Sequence, residues 1–293
     1  MTDLHGVLAA LTTPFTAEHQ VDQTRLRSLV DDVLAGGVHG LVPAGSTGEF
    51  ASLSHQERRG VVETVIDQAA GRVPVVAHTG AMTVAEAVDL STHAEKAGCA
   101  ALLVLPPYKD RLSFPETRDY FSRIAESVSI PLIVYNLPLA TGVNLGVEDI
   151  AALAEAHENI RYVKDTSGDH HQVTRILHDL RDVITLLVGW DTMLFAALAE
   201  GAPGCILGAT NFLARPLVTV HELLKAGDLV AARAEWDRIY PAMRFLVSGG
   251  YVGGVRGAMD LLGRSIGTSR PPTAGLTDER RAELRQILAV LEL

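Results

Sequence analysis

Eight short apolar stretches, separated by longer amphipathic ones, are the feature that most constrains how this chain of 293 residues folds. The apolar stretches are Val7–Leu11, Gly40–Pro43, Val73–Ala77, Ala100–Leu105, Leu132–Tyr135, Tyr162–Lys164, Thr185–Val188 and Gly204–Leu207. The segments between them have helical periodicity, as in Gln23–Ala35, Ser54–Ala70, Val84–Ala97, Glu116–Ser127 and Val147–Ala156. Strands that alternate with helices in this way predict an α/β protein with a parallel sheet.

The strand count favours a closed (β/α)8 barrel of the TIM-barrel class, because strands that are apolar on both faces need cover on both sides. An open doubly wound sheet is the alternative. It would be favoured by a glycine-rich turn after the first strand, where the chain instead has Leu11-Thr12-Thr13-Pro14-Phe15. After about residue 215 only helical segments follow, which are Arg215–Leu224, Leu229–Val247, Tyr251–Leu262 and Thr277–Leu291. We therefore predict a barrel over residues 1–224 and a C-terminal helical extension, 225–293, packed on it.

The composition argues against some classes of binding partner. The formal net charge is −10, and no run of lysines and arginines forms a basic stripe, which argues against nucleic acid and anionic membranes as partners. Cys99 and Cys205 lie inside apolar runs and are expected to be core residues of a protein from a reducing compartment. No secretory signal and no apolar run of ~18 residues is present. We expect a cytoplasmic protein.

Lys164 is the residue with the strongest chemical implication. It is one of only four lysines and it ends the sixth predicted strand. Lysine is disfavoured in strand interiors and is rarely buried without a partner. A desolvated amine can lose its proton and attack a carbonyl carbon to form a Schiff base. The alternative from the local sequence is a surface lysine paired with Asp165.

Polar groups also follow the ends of other predicted strands, and they are Gly45-Ser46-Thr47, Tyr108, Lys109 and Tyr135. Active sites of (β/α)8 barrels lie at this end of the strands. The backbone N–H groups and hydroxyls of Ser46 and Thr47 are suited to hold the carboxylate of a 2-keto acid. The Tyr135 phenol is suited to move a proton. The alternatives are an ordinary tight turn for the first group and a structural strand-end aromatic for Tyr135.

Three further motifs are interpreted as structural. His170-His171 lacks further ligands at metal-binding spacing and is expected in an exposed loop. The glycine-rich run from Gly249 to Gly254 follows no strand, which favours a turn or close helix packing over phosphate binding. Glu49 is expected to support the turn that carries Ser46 and Thr47.

Three motifs lie at the ends of the second, fifth and sixth predicted strands, and they are Gly45-Ser46-Thr47-Gly48-Glu49, Tyr135-Asn136-Leu137-Pro138 with Thr141-Gly142, and Val163-Lys164-Asp165-Thr166-Ser167-Gly168-Asp169. They resemble the motifs of the dihydrodipicolinate synthase / N-acetylneuraminate lyase family. Their order and spacing match, and the likeness extends over essentially the whole chain, including Gly189-Trp190-Asp191. The resemblance implies a (β/α)8 barrel, usually a homotetramer, that forms a Schiff base between a lysine and pyruvate or another 2-keto acid. It also implies that neither a metal nor an organic cofactor is needed.

The resemblance implies roles for individual residues. Lys164 takes the place of the nucleophile and Tyr135 that of the proton-relaying tyrosine, while Ser46 and Thr47 match the carboxylate-binding pair. Thr47 counts among the catalytic residues as well, Gly45 belongs to the same binding turn, and Ile206 matches a position that lines the pyruvate site.

Two positions depart from the pattern of the dihydrodipicolinate synthases. Ala140 stands where those enzymes carry an arginine that holds a substrate carboxylate, and alanine offers no bidentate donor. Lys109 stands after Pro107-Tyr108, where the synthases have a second relay tyrosine that reaches across an interface. Either Tyr108 takes that role, or the relay is incomplete, or Lys109 contacts an anionic substrate.

The sequence thus predicts a Schiff-base lyase that makes or breaks a carbon–carbon bond to pyruvate. The expected partners are a 2-keto acid and an aldehyde, as in 2-keto-3-deoxy sugar acids and 4-hydroxy-2-keto acids. The alternatives are a dehydratase that uses the same lysine, dihydrodipicolinate synthase itself, and a non-catalytic keto-acid-binding protein.

Overall fold

The strands form one eight-stranded sheet in a computed structural model of the protein, which describes residues 3–291. They are β1 (Gly6–Ala10), β2 (Gly40–Val42), β3 (Val76–His78), β4 (Ala101–Val104), β5 (Leu132–Asn136), β6 (Ile160–Asp165), β7 (Thr185–Val188) and β8 (Gly204–Leu207). The order of neighbours is β2-β1-β8-β7-β6-β5-β4-β3, and the paired strands run parallel. With helices between the strands, this is the (β/α)8 barrel class expected from the sequence.

The helices alternate with the strands and then continue alone to the C-terminal end of the described chain. They are α1 (Gln23–Ala35), α2 (His55–Ala69), α3 (Val84–Ala97), α4 (Phe114–Ser127), α5 (Pro138–Thr141), α6 (Val147–Ala156), α7 (His170–Asp179), α8 (Leu194–Ala199), α9 (Thr210–Lys225), α10 (Leu229–Val247), α11 (Tyr251–Leu261) and α12 (Asp278–Ala289). Short 3₁₀ turns occur at Phe50–Ser52 and Asp191–Met193. Within residues 3–291, no helix combines the length and the apolar character needed to cross a membrane.

Local signals explain where several helices begin and end. The Ser54 side chain accepts a hydrogen bond from the Glu57 N–H, and the Glu57 carboxylate accepts one from the Ser54 N–H, which forms a capping box at α2. At α3 the Thr83 hydroxyl accepts a hydrogen bond from the Glu86 N–H and so caps the helix. Gly98 ends α3 in the left-handed conformation, with a φ of 100° that favours glycine.

Two elements begin three residues or more from the predicted position, while the other predicted bounds differ by at most two residues. β3 begins at Val76 and not at Val73, because Pro74 has no backbone N–H to give to a sheet ladder. α9 begins at Thr210, five residues before the predicted Arg215, and it bends at Leu213, where φ is −115°. The five extra residues are helical in spite of the following proline because the bend separates them from the rest of the helix.

The histidine pair at 170–171 lies in a helix. The two residues are exposed, as expected, but the loop prediction is wrong. They form the first turn of α7, where the side chain of Asp169 accepts a hydrogen bond from the Gln172 N–H and so caps the helix.

The chain divides into two compact units. Of the described residues, the first unit contains 3–5 and Pro74–Ile206. The second contains Gly6–Val73 and residues 207–291. The strands β4 and β5 of the first unit are buried along their whole length, as expected for parallel strands with cover on both faces.

The C-terminal helices belong to the second unit. α9 contacts β1 and α1, while α10 contacts α9, α11 and α12. The helices on either side of residue 224 therefore share one compact unit, and the division into a barrel of 1–224 and an extension of 225–293 stays a prediction.

Both cysteines are buried and free, as the sequence predicted. Burial raises the pKa of the Cys99 thiol to about 12. Such a thiol stays protonated near neutral pH and behaves as a small apolar core residue.

Candidate active site

Lys164 and Tyr135 lie side by side on neighbouring strands. They are direct partners in the parallel register of β5 and β6, so their side chains leave the same face of the sheet. The Lys164 Nζ atom lies 4.1 Å from the centroid of the Tyr135 ring. The exposed fractions of the two residues are only 6% and 3%. An amine and a phenol, both largely removed from water, thus lie in direct contact.

The alternative of a surface lysine paired with Asp165 is wrong. Successive residues of a strand point to opposite faces, so the Asp165 carboxylate leaves the other side of β6. It accepts hydrogen bonds from Ser167 Oγ at 2.6 Å, Gln172 Nε2 at 2.8 Å and Asn136 Nδ2 at 2.9 Å. No ion pair to Lys164 is found among residues 3–291. Asp165 is therefore a buried structural carboxylate, and it does not occupy the Lys164 amine.

Asn136 ties the ends of β5 and β6 to the segment that follows them. Its Oδ1 atom accepts a hydrogen bond from the Leu145 N–H at 3.0 Å, and its Nδ2 group donates to Asn144 Oδ1 at 2.9 Å as well as to Asp165. Buried amide and carboxylate groups that are satisfied in this way fix the local backbone. The network therefore holds the two strand ends that carry the phenol and the amine.

Gly189, directly after β7, leaves room for the Lys164 side chain. A Cβ atom at this position would lie 2.8 Å from Lys164 Cε and 2.9 Å from the Asp165 carbonyl oxygen, closer than real Cβ contacts. It would also collide with Thr166 Oγ1, a buried hydroxyl oxygen without a hydrogen-bond partner in the described structure. Neither Gly189 nor Thr166 was predicted as a site residue, although both lie in motifs that carry the resemblance.

His78 is a further buried polar residue on this face of the sheet. It pairs in register with Leu103, which pairs with Ile133, two residues before Tyr135 on the same side of β5. The His78 and Tyr135 ring centroids are 6.5 Å apart and the rings are nearly perpendicular. His78 was not predicted as a site residue, because the predicted third strand ended one residue before it, at Ala77.

In the second unit, the turn after β2 carries Ser46 and Thr47. The turn is flanked by two residues in the left-handed region, Ala44 with φ 53° and Glu49 with φ 57°. Gly45 is buried, Thr47 is 6% exposed and Ser46 is half-buried. Hydroxyls and backbone N–H groups in a turn of this kind can bind an anion.

Gly208 separates two hydroxyl groups in the same unit. A Cβ atom built on Gly208 would lie 2.7 Å from Thr47 Oγ1 and 2.8 Å from the hydroxyl oxygen of Tyr251. The Gly208 N–H donates to that Tyr251 oxygen at 3.1 Å. Tyr251, the first residue of α11, therefore belongs to the surroundings of Thr47. No signal in the sequence connected it with the site, because the two residues are about 200 positions apart.

The remaining predicted site residues lie in different settings. Ile206 is fully buried in β8. Tyr108 is half-buried between β4 and α4, and Lys109 beside it is exposed. Ala140 is exposed in α5. In the described structure, no hydrogen bond or ion pair joins Lys109 to Lys164 or to Tyr135.

One group of side chains in the second unit has the composition of a metal site. Ligand atoms of His39, His221 and Glu222 lie within 4.8 Å of one another. However, His39 Nδ1 accepts a hydrogen bond from the Val7 N–H at 3.1 Å, so the proton of the neutral ring is on Nε2. That nitrogen faces Glu222 Oε1 at 3.4 Å. The group is better described as a hydrogen-bonded cluster than as a ligand set.

Comparison with known proteins gives a consistent result over the whole chain. The model of the dihydrodipicolinate synthetase family matches residues 3–291. The 4-hydroxy-tetrahydrodipicolinate synthase of Methanopyrus kandleri is 38% identical over 291 residues, which cover 99% of this chain and 97% of that one. A crystal structure of a dihydrodipicolinate synthase superposes with a TM-score of 0.95 at 32% identity, with 99% of each chain covered. YagE from E. coli K12, solved in complex with pyruvate, gives a TM-score of 0.93 at 31% identity, again with 99% of each chain covered.

Proposed function

The chain belongs to the dihydrodipicolinate synthetase family and is a Schiff-base lyase, and we propose that Lys164 is the residue that forms the imine, with pyruvate as the keto acid. Tyr135 moves the protons of this reaction, and Ser46 and Thr47 bind the substrate carboxylate. The YagE complex supports pyruvate as the substrate, since that protein shares the fold and binds it.

One observation carries the proposal. The Lys164 amine is buried, has no ion-pair partner among the described residues, and lies 4.1 Å from the centroid of a phenol ring. The nitrogen is thus held beside a phenol, with no carboxylate that occupies it. Attack on a carbonyl carbon requires an amine that is placed in this way beside a group able to transfer protons.

The chemistry follows from these groups. The Lys164 amine attacks C2 of pyruvate, and the Tyr135 hydroxyl relays the proton that the nitrogen loses to the former carbonyl oxygen, which becomes the hydroxyl of a carbinolamine. A proton from Tyr135 then lets this hydroxyl leave as water, which gives the protonated imine and a tyrosinate. The tyrosinate takes a proton from C3, and the resulting enamine attacks the aldehyde carbon through C3. Tyr135 passes that proton to the aldehyde oxygen as the new bond forms. Water then hydrolyses the product imine, which releases the product and the free lysine and returns a proton to Tyr135. The reverse sequence cleaves the same bond.

The second substrate is proposed from the surroundings of Lys164. Ala140 lies where the synthases of this family carry an arginine, so a carboxylate of the aldehyde half has no bidentate partner there. Thr166 Oγ1, by contrast, is a buried hydroxyl without a partner near Gly189. A hydroxylated aldehyde would satisfy such a group. We therefore place 2-keto-3-deoxy sugar acids and 4-hydroxy-2-keto acids ahead of aspartate semialdehyde, with the dehydratase as a variant on the same enamine.

Assembly and location are part of the same proposal. We propose a homotetramer, because the resemblance implies one, and a cytoplasmic enzyme, because its two cysteines are free and buried.

Reduction with borohydride in the presence of pyruvate tests the nucleophile. The protein should gain the mass of a reduced keto-acid adduct, and peptide mapping should place it on Lys164. Lys164→Arg should abolish the adduct, since the guanidinium is not nucleophilic. The control is Lys96→Arg, at an exposed lysine of α3, which should be labelled as the parent protein is. An adduct that is absent, or that persists in Lys164→Arg, rules out the assigned mechanism.

A screen of aldehydes and keto acids tests the substrate. Pyruvate release from 2-keto-3-deoxy acids should exceed the consumption of pyruvate with aspartate semialdehyde by at least about ten-fold in kcat/KM, the effect expected when one charge-assisted contact is missing. Faster turnover of aspartate semialdehyde would favour the synthase instead. An adduct on Lys164 without turnover of any substrate would favour a keto-acid-binding protein.

A further inference from the structure

Glu49 and Arg256 form an ion pair that is almost completely buried. Arg256 Nε lies 2.7 Å from Glu49 Oε1, and a second guanidinium nitrogen lies 2.5 Å from the same oxygen. The side chains are 6% and 5% exposed. Burial lowers the pKa of Arg256, and the Glu49 carboxylate opposes that shift. Most ion pairs in the described structure lie on the surface, so the position of this one calls for an explanation.

Arg256 also connects three backbone segments of the second unit. One guanidinium nitrogen donates to the carbonyl oxygen of Thr13 at 2.5 Å, and another donates to the carbonyl oxygens of Ile266 and Gly267 at 3.2 Å each. The guanidinium carbon lies 5.1 Å from the centroid of the Phe15 ring. A single side chain of α11 thus holds the chain after β1, the turn after β2 and the segment before α12 together.

The turn that Glu49 ends is strained. A left-handed conformation of a residue other than glycine costs on the order of 1–3 kcal/mol, and both Ala44 and Glu49 adopt it. The turn is held from one more side, because Thr13 Oγ1 donates to the Gly48 carbonyl oxygen at 2.7 Å. A strained conformation persists only where its surroundings determine it. Contacts to Glu49 and Gly48 supply these surroundings.

We propose that Glu49 and Arg256 are positioning residues that hold the turn between Ala44 and Glu49 in the shape with which Ser46 and Thr47 bind the keto-acid carboxylate. The inference rests on the proposed function of that turn and extends it to a residue of the C-terminal helices. Neither residue touches the substrate. They act through the backbone of the turn, on which the direction of its N–H groups and hydroxyls depends.

Loss of the Glu49–Arg256 pair should affect substrate binding more than the rate of the chemical step. The substrate carboxylate keeps its charge throughout imine formation, so contacts to it stabilise the ground state and the transition state alike. Loss of such contacts raises the half-saturating substrate concentration more than it lowers the maximal rate. Acetone provides a probe of the difference, because it forms the same imine and has no carboxylate.

Glu49→Gln tests the inference by borohydride trapping. The substitution keeps the shape of the side chain and removes its charge. The half-saturating pyruvate concentration should rise about ten-fold, the equivalent of one weakened charge-assisted contact. The ratio of pyruvate to acetone trapping should fall by a similar factor. A general loss of structure would lower trapping of both ketones and leave the ratio unchanged, which would overturn the inference.

Glu57→Gln is the matched control. Glu57 pairs with Arg270 at 2.5 Å, and the Arg270 guanidinium carbon lies 4.7 Å from the same Phe15 ring. This pair joins α2 to the segment before α12, and the other hydrogen bonds of its side chains in the described structure go to His19, Ser52 and Ser54, which lie outside the turn. The variant should lose stability and keep its pyruvate-to-acetone ratio within about two-fold. An equal fall of the ratio in both variants would contradict a specific role of Glu49.

Thr13→Val provides a second test of the inference in case Glu49→Gln does not fold. It removes only the hydrogen bond to the Gly48 carbonyl oxygen and should lower the same ratio by about three-fold, in line with one neutral hydrogen bond. An unchanged ratio in a folded Thr13→Val protein would overturn the inference. The parent protein separates this outcome from failure of the proposed function: if it gives no Lys164 adduct with pyruvate at all, the function itself is wrong.

Discussion

Gly189 and Tyr135 define the position of the Lys164 amine from two directions. The backbone of Gly189 lies against the lysine stem, and the Tyr135 ring lies beneath its nitrogen. A lysine side chain has four rotatable bonds and loses entropy when it is held in one place. The two neighbours and the register of β5 and β6 limit these rotations before any substrate arrives.

Gly189→Ala should nearly inactivate the enzyme. The added Cβ would lie 2.8 Å from Lys164 Cε, so the lysine stem has to move, and a shift of about 1 Å at a reacting group can cost about 100-fold in rate. Steady-state kinetics and borohydride trapping measure the loss. Gly275→Ala, at a glycine with open space around it, is the control and should keep its activity. Normal trapping in Gly189→Ala would show that the Lys164 side chain can accommodate the added methyl group and still form the imine.

Tyr135→Phe should slow the reaction more than it weakens binding. The phenyl ring keeps the contact with Lys164 and removes only the proton-transferring hydroxyl, a group expected to contribute about 100-fold or more. The maximal rate of imine trapping should fall by that factor, with a change of less than about three-fold in half-saturating pyruvate. An unchanged maximal rate would assign the proton transfer to another group.

At the scale of elements, the N-terminus of α2 is held by side chains from distant parts of the chain. Glu57 completes the capping box with Ser54 and also receives Arg270 from the segment between α11 and α12. Arg270 further donates to the carbonyl oxygens of His19 and Ser52. The helix start is thereby joined to two loops, and the stability of this connection depends on the charge of one carboxylate.

The ion pair of Glu57 predicts a pH dependence of stability. The Arg270 guanidinium lowers the pKa of Glu57 from an ordinary 4.5 to about 2. A carboxylate whose pKa is lower in the folded protein stabilises it above its unfolded pKa, and this contribution is lost as the pH falls from about 4.5 toward 2. Glu57→Gln should lower the free energy of unfolding by about 1 kcal/mol near neutral pH, after allowance for partial solvent exposure.

Urea unfolding from about pH 6 down to about pH 3 checks this expectation. The difference between the parent protein and Glu57→Gln should shrink steadily as the pH falls. Thr277→Ala, which removes the hydroxyl that caps α12 and makes no hydrogen bond to Glu57 in the described structure, should show a difference that is independent of pH. A constant difference for Glu57→Gln would mean that the pair contributes little through its charge.

At the scale of the whole molecule, the proposed homotetramer has a direct test. Four chains of 31.3 kDa make a particle of about 125 kDa, which sedimentation velocity distinguishes readily from a dimer or a monomer. We expect the tetramer to persist on dilution to the concentrations used for enzyme assays. A sedimenting species with the mass of a single chain would contradict the assembly that the family resemblance implies.

The sequence by itself determined the alternation of strands and helices. The predicted and observed bounds of several elements are identical, among them α1, α3, α6, β7 and β8. It also singled out the lysine, the tyrosine and the hydroxyl-bearing turn as candidate site residues, whose roles stay predictions. These features are local, because a periodicity, a cap or a motif is decided by residues close together in the chain. The largest differences in element bounds, at the starts of β3 and α9, were decided by backbone pairing and by a bend that no local sequence pattern indicates.

Only the tertiary structure decided what surrounds these residues. The register of β5 and β6 places the Tyr135 ring beneath the Lys164 amine, and it directs the Asp165 carboxylate away from that amine. The importance of Gly189 and Arg256 comes from their contacts with residues far away in sequence, Lys164 for Gly189 and Glu49 for Arg256. Contacts of this kind depend on how strands pair and helices pack, which the spacing of residues along one chain does not encode locally.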